Sequence, residues 1–132
     1  MQNNNLLNIS VVITMYNAKS IINDTIDAVK KQTYGLEEII VVDDCSTDES
    51  YSFVKTRHPE VKLIQTETNS GPGSARNLGK KQAQNNIILF IDHDVILDKN
   101  TINRLMIAYE NFPLFSIYVD EVTTTNVSKR LM

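Results

Sequence analysis

Two aspartates one residue apart, Asp92 and Asp94, close an unbroken apolar run, Ile87-Ile88-Leu89-Phe90-Ile91. A second carboxylate pair, Asp43-Asp44, follows another such run, Ile39-Ile40-Val41-Val42. In a strand, residues i and i+2 point to the same side, so Asp92 and Asp94 would project together at the strand's carboxyl end. Carboxylates crowded this way repel, and a divalent cation with oxygen ligands relieves the repulsion. The octapeptide alone leaves a plainer reading open, in which Asp92 ends the strand and Asp94 caps a turn. His93 lies between the two and, in a strand, points away from both, which favours a packed or solvent-facing role. His58, beside Pro59, carries no signal. Cys45 is the single cysteine, which excludes an intrachain disulfide and a zinc site built on thiolates, and nothing beside it suggests an activated nucleophile. The loop Gly71-Pro72-Gly73-Ser74 is not a Walker loop, since no Gly-Lys-Ser/Thr follows it.

The elements that must position these residues alternate in type. Asn8 to Thr14 reads as a first strand, β-branched and apolar. Ile21, Ile22, Ile26 and Val29 then recur at helical spacing through Lys31, in a helix expected to end near Tyr34-Gly35, where glycine can supply a left-handed cap. Glu38 to Val42 forms the second strand. Thr47 or Asp48 can cap a short helix through Tyr51, Phe53 and Val54, which must stop before Pro59. Val61 to Gln65 is a third strand, Thr66 to Gly73 a loop, and a helix from about Ser74 turns Ala75, Leu78 and Ala83 inward, small residues that permit a close approach. After the strand at Ile87, a helix places Ile102, Leu105, Met106 and Tyr109 on one face, with Asp98, Asn100 or Thr101 as its cap. Phe115 to Val119 reads as a last strand before a polar tail, Thr123 to Lys129.

Strands alternating with helices predict an α/β fold, a three-layer α/β/α arrangement around a mostly parallel, doubly wound sheet with right-handed crossovers. Ligands of such sheets bind in the crevice outside the carboxyl ends of the strands. Thr14, Asp43, Asp44, Asp92 and Asp94 all fall at or just beyond such ends. Their convergence turns two acidic pairs into one candidate site.

The 132 residues suit a single domain, residues 1–132, with one substantial core. A net charge of -3 gives no basis for nucleic acid or an anionic membrane surface as partner. The start lacks a positive n-region, and no apolar run approaches the ~20 residues of a spanning helix. The chain is therefore expected to be cytoplasmic, reaching the inner face of a membrane only through partners.

Four segments in order carry a more specific signal: Val11 to Asn17, Ile39 to Asp48, Asn69 to Asn77, and Phe90 to Asp94. Together they resemble the family 2 glycosyltransferases of GT-A, Rossmann-like fold, over roughly residues 8 to 112. The resemblance implies an enzyme that binds a nucleoside-diphosphate sugar, UDP-linked by preference, with Mn2+ or Mg2+, for inverting transfer to an unidentified glycan or lipid-linked acceptor. It implies that Thr14, Tyr16 and Asn17 lie by the nucleoside. Asp44 would accept from the base's imide N–H, and Asp43 would share that task or orient the loop. Gly71 and Gly73 would let backbone approach the ligand, and Arg76 would face the diphosphate or the base. Asp94 would be the direct metal ligand, with Asp92 toward the ribose or reaching the metal through water. Thr14 stands where the family commonly has proline, and Met15 follows it. The family's catalytic base, the aspartate of a later Glu-Asp pair, is expected beyond Met132, since Asp120-Glu121 has the wrong order and comes too early. The chain thus reads as the donor-binding half of the fold, and a missing half would leave an apolar flank open to homo-oligomer formation.

Two further classes compete. A non-catalytic nucleotide-sugar-binding or assembly module would keep the pocket without turnover. A phosphoacceptor signalling domain is suggested by Val41-Val42-Asp43-Asp44, but it needs a lysine on a late strand, and the late lysines are Lys99 and Lys129.

Overall fold

The computed structural model describes residues 7–111. Four strands, β1 (Ile9–Met15), β2 (Glu38–Asp43), β3 (Lys62–Gln65) and β4 (Ile87–Asp92), alternate with four helices, α1 (Ile22–Lys30), α2 (Ser50–Arg57), α3 (Pro72–Gln82) and α4 (Thr101–Asn111). The strands form one parallel sheet in the order β3-β2-β1-β4. The expected fold class holds, and the expected elements within residues 7–111 are all present. The strand expected at Phe115 to Val119, the tail after it and Asp120-Glu121 lie outside the described residues.

The alternation of β1 decides the layers. Ile9, Val11, Ile13 and Met15 face a core built with Ile22, Ile26 and Val29 of α1, Val54 of α2, and Ile102 and Met106 of α4. Val12 faces the other way, onto Ala75 and Leu78 of α3 with Ile40 and Val42. Because both faces of the sheet are covered, its strands read as continuous apolar runs rather than as alternating ones. The chain runs outward from β1 through β2 to β3, then returns past β1 to β4. With right-handed crossovers, that reversal puts α3 on the face opposite α1 and α2.

Three local expectations are corrected. The first helix stops at Lys30, with Lys31 at φ -87° as its C-cap, and Gly35 lies in the following loop without the positive φ of a left-handed cap. The third helix begins at Pro72 rather than Ser74, because proline's missing N–H costs nothing in a first turn and its fixed φ suits the helix. The residue that lets α3 approach the sheet is Gly79. An added Cβ there would stand 2.4 Å from Val12 Cγ1 and 3.2 Å from Val42 Cγ2. Both valines are fully buried and stiff at χ1. Gly79→Ala gains about 1 kcal/mol of helix propensity, but overpacking a stiff core costs about 1–3 kcal/mol. A net loss of stability, read as a lower denaturant midpoint at unchanged m-value, is the expected outcome.

His58 is a hub, not a bystander. It is 2% exposed, accepts from Lys30 Nζ at Nδ1 (2.6 Å) and meets Asn23 Oδ1 with Nε2 at 2.8 Å. Those partners fit the neutral ring carrying its proton on Nε2. Lys30 also pairs with Glu60. Burial, then the Lys30 charge, pushes the His58 pKa below its ordinary 6.5. The unfolded chain therefore binds the proton more readily than the folded one. The stabilisation is complete above about pH 6.5 and is lost as pH falls below it toward the depressed folded value. A His58→Gln variant should show a shallower fall in melting temperature between pH 7 and pH 5 than the parent.

Candidate functional site

β1 is the point where the strand order reverses, so a crevice opens between the carboxyl ends of β1 and β4. Thr14 and Asp92 are register partners there. A cavity of about 300 Å3 occupies the crevice, lined by Thr14, Met15, Tyr16, Asp44, Asn69, Gly71, Pro72, Ala75, Arg76, Asp92, His93 and Asp94. The sheet supplies its floor and the N-terminal turns of α3 one wall.

One positive and one negative group of this cavity are in contact. Arg76, on α3, donates from Nη2 to Asp92 Oδ1 at 3.0 Å, and both side chains are partly exposed. Asp94 is exposed in the turn after β4. Among the described residues its carboxylate has no hydrogen-bond or ion-pair partner. Asp94 is therefore the freer carboxylate, while one Asp92 oxygen is already committed to a guanidinium. Among the described residues, no group of three His, Cys, Asp or Glu side chains is gathered to hold a metal alone. Two carboxylates at a polar mouth fit a hard cation whose shell is completed by phosphate oxygens, the usual arrangement for Mg2+.

Asp44 lines the cavity but is 4% exposed. Its Oδ1 accepts from Ser70 N–H and Thr66 Oγ1, each at 3.0 Å, and its Oδ2 accepts from Gly71 N–H at 2.8 Å. Its main task is thus to fasten the loop after β3 to the loop after β2. Gly71 takes φ +92° at the N-cap of α3, a conformation that favours glycine.

Three expected site residues lie outside the lining, and two of them, Asp43 and Asn17, have a supporting task. Asp43 is fully buried. It accepts from Ser46 N–H and Oγ through Oδ1, and from Gln65 Nε2 at 3.0 Å through Oδ2. Asn17, at φ 48°, donates its N–H to Ser46 Oγ at 2.9 Å and accepts from Thr47 N–H at 2.8 Å, tying the loops after β1 and β2. Gly73 sits inside α3, and an added Cβ there would meet nothing within 4 Å. A phosphoacceptor carboxylate must be free to react, but Asp43 is fully buried and Asp44, though it lines the cavity, has both oxygens engaged in its loop. Nearby, burial works against the Asp48 charge. Hydrogen bonds from the Ser50 side chain and the Lys19 and Ser50 N–H groups nonetheless hold its carboxyl below the usual range.

Other lining residues escaped sequence reasoning. His93 is a member of the cavity wall, where its Nδ1 accepts from Tyr16 N–H at 3.4 Å. β4 ends at Asp92, so His93 begins a turn and strand alternation no longer directs it away. Asn69, Pro72 and Ala75 lie within the third of the four sequence segments but show no chemistry that would single them out.

The sequence profile of Glycosyl transferase family 2 matches residues 10–130. A glycosyltransferase of Haemophilus influenzae whose own role is uncharacterized is 30% identical over 93% of this chain and 54% of its own length. The poly(ribitol-phosphate) beta-N-acetylglucosaminyltransferase TarS of Staphylococcus aureus is 36% identical over 74% of this chain and 18% of its own. The crystal structure of TarS with UDP-GlcNAc matches with a TM-score of 0.70 at 34% identity, over 80% of this chain and 32% of that one. A mannosyltransferase of Pyrobaculum calidifontis with GDP-Man and Mn2+ matches at 0.65 and 27% identity, over 71% and 30%. The chain thus spans about half the length of the Haemophilus relative, and less of the others.

Proposed function

The chain belongs to glycosyl transferase family 2, and from that premise we propose that its cavity binds a nucleoside-diphosphate sugar together with a divalent cation, as the donor site of an inverting sugar transfer. The observation that carries this reading is one crevice, at the β1/β4 switch point, holding the Arg76–Asp92 ion pair beside Asp94, an exposed carboxylate with no partner among the described residues. A guanidinium next to two carboxylates suits a ligand that brings both negative phosphates and a cation. A UDP sugar is favoured because TarS, similar in sequence and fold, was crystallised with UDP-GlcNAc. An exchange of UDP for GDP remains within the fold's reach, since the mannosyltransferase neighbour holds GDP-Man.

In this reading Tyr16, 39% exposed at the rim, offers its ring to the base, and Asp44 holds the loop that closes over it. Asp94, with Asp92 beside it, would hold Mn2+ or Mg2+. The cation would offset charge on the departing diphosphate. Arg76 exchanges part of its contact with Asp92 for the phosphates, and Thr14 presents a hydroxyl on the floor. The acceptor would be a glycan or lipid-linked glycan, deprotonated by a base supplied from outside residues 7–111.

A thermal-shift panel of UDP, GDP, CDP and TDP, each with Mn2+ or with chelator, tests the reading. UDP with Mn2+ should raise the melting temperature more than UDP with chelator, and Mn2+ alone should do little, because the protein supplies only part of its shell. No metal-dependent shift with any of the four nucleotides would sink the donor-site reading.

A further inference from the structure

The turn carrying the acidic pair is held from behind by α1. Thr25 is fully buried on the stripe that also carries Ile22, Ile26 and Val29. A hydroxyl among buried apolar neighbours is costly unless it is bonded, and a helical threonine commonly satisfies itself on the carbonyl one turn back. Thr25 Oγ1 instead donates to the main-chain carbonyl of His93, 68 positions away in sequence, at 2.6 Å. Val95 N–H, donating to Asp92 O at 3.2 Å, closes the same turn.

The loop just after α1 makes similar contacts. Gln32 Nε2 donates to Asp98 O at 2.6 Å, and its Oε1 accepts from Ile102 N–H at 2.9 Å. Thr33 N–H donates to Lys99 O at 2.8 Å. The segment between β4 and α4 is therefore fastened at one end to α1 and at the other to the loop that leaves it. His93 is the residue between the two aspartates, so fixing its carbonyl restrains the direction in which both carboxylates are presented. Thr25 itself is absent from the cavity lining.

We infer that Thr25 is a positioning residue for the cation-and-diphosphate part of the site, acting through the His93 main chain on Asp92 and Asp94. The inference rests on the donor-site reading above. It separates from a general structural role because loosening the turn should weaken only the part of binding that depends on the metal.

Calorimetric titration of UDP, with Mn2+ and with chelator, into the parent chain, Thr25→Val and Thr25→Ser tests it. Valine keeps the shape and removes the donor, while serine restores the donor. Thr25→Val should lose about tenfold in affinity with Mn2+, the usual scale for groups that orient metal ligands, and nothing with chelator. Thr25→Ser should retain the parent's metal dependence. Amide exchange at Val95 should quicken in Thr25→Val, a reading that needs no ligand. Equal metal dependence in parent and Thr25→Val overturns the inference and leaves the donor site standing. So does an equal loss with and without metal, or loss of metal dependence in Thr25→Ser. A parent chain without metal-dependent binding overturns both.

Discussion

Asp94→Ala is expected to erase the manganese-dependent part of nucleotide binding while leaving the fold intact. A ligand present at a hundred times its dissociation constant stabilises a protein by about 2.7 kcal/mol, and that increment should vanish from melting curves of the variant with UDP and Mn2+. The fold should survive because Asp94 is exposed and has no hydrogen-bond partner among the described residues. Surface changes of that kind stay within about 0.5 kcal/mol. Asp92→Ala is the informative contrast. It releases Arg76 from its 3.0 Å ion pair, so affinity for the diphosphate should fall less steeply than in Asp94→Ala. An unchanged metal-dependent shift in Asp94→Ala would refute the assignment of Asp94 as the direct ligand.

Asp44→Ala is expected to cost stability and binding together. The carboxylate accepts from Ser70 N–H, Gly71 N–H and Thr66 Oγ1 at 2.8–3.0 Å. Hydrogen bonds to a charged group contribute about 1.5–3 kcal/mol each, and donors left without a partner in a buried place add to the loss. Water can reach the opened loop, so a total of about 3 kcal/mol is expected rather than the sum. Asp44→Asn keeps one carbonyl oxygen and should fall between parent and Asp44→Ala in urea melts. If Asp44→Ala melted like the parent, the fastening role described here would be wrong.

The sequence carried the sheet and its carboxyl ends because burial on both faces leaves a readable mark. Runs such as Ile39 to Val42 and Ile87 to Ile91 can only be parallel-sheet strands or buried helix segments, and their length and flanking polar residues decide between the two. Thr14, Tyr16, Asp44, Gly71, Arg76, Asp92 and Asp94 were legible for the same reason, since each stands just past such a run or in a segment with a family resemblance, and the cavity brings all seven together. Asn17, Asp43 and Gly73 carried the same signal but lie outside the lining. Residue type at a loop start does not reveal whether a side chain turns toward the ligand or back into its own loop. Contacts made across long separations left almost no mark. His58 is joined to Asn23 across 35 positions, Gln32 to Ile102 across 70, and Thr25 to His93 across 68. Thr25 alone gave a hint, as a hydroxyl on an otherwise aliphatic stripe.

Gly79 stands one turn after Arg76 on α3, on the side pressed against β1 and β2. A methyl group added there would act as a shim. Lifting α3 off Val12 should also lift Arg76, on the same helix, away from Asp92. The distance between the site's opposite charges is thus gauged by a hydrogen atom in the hydrophobic layer beneath them, and a substitution that never touches the ligand should detune the site's electrostatics as it loosens the fold.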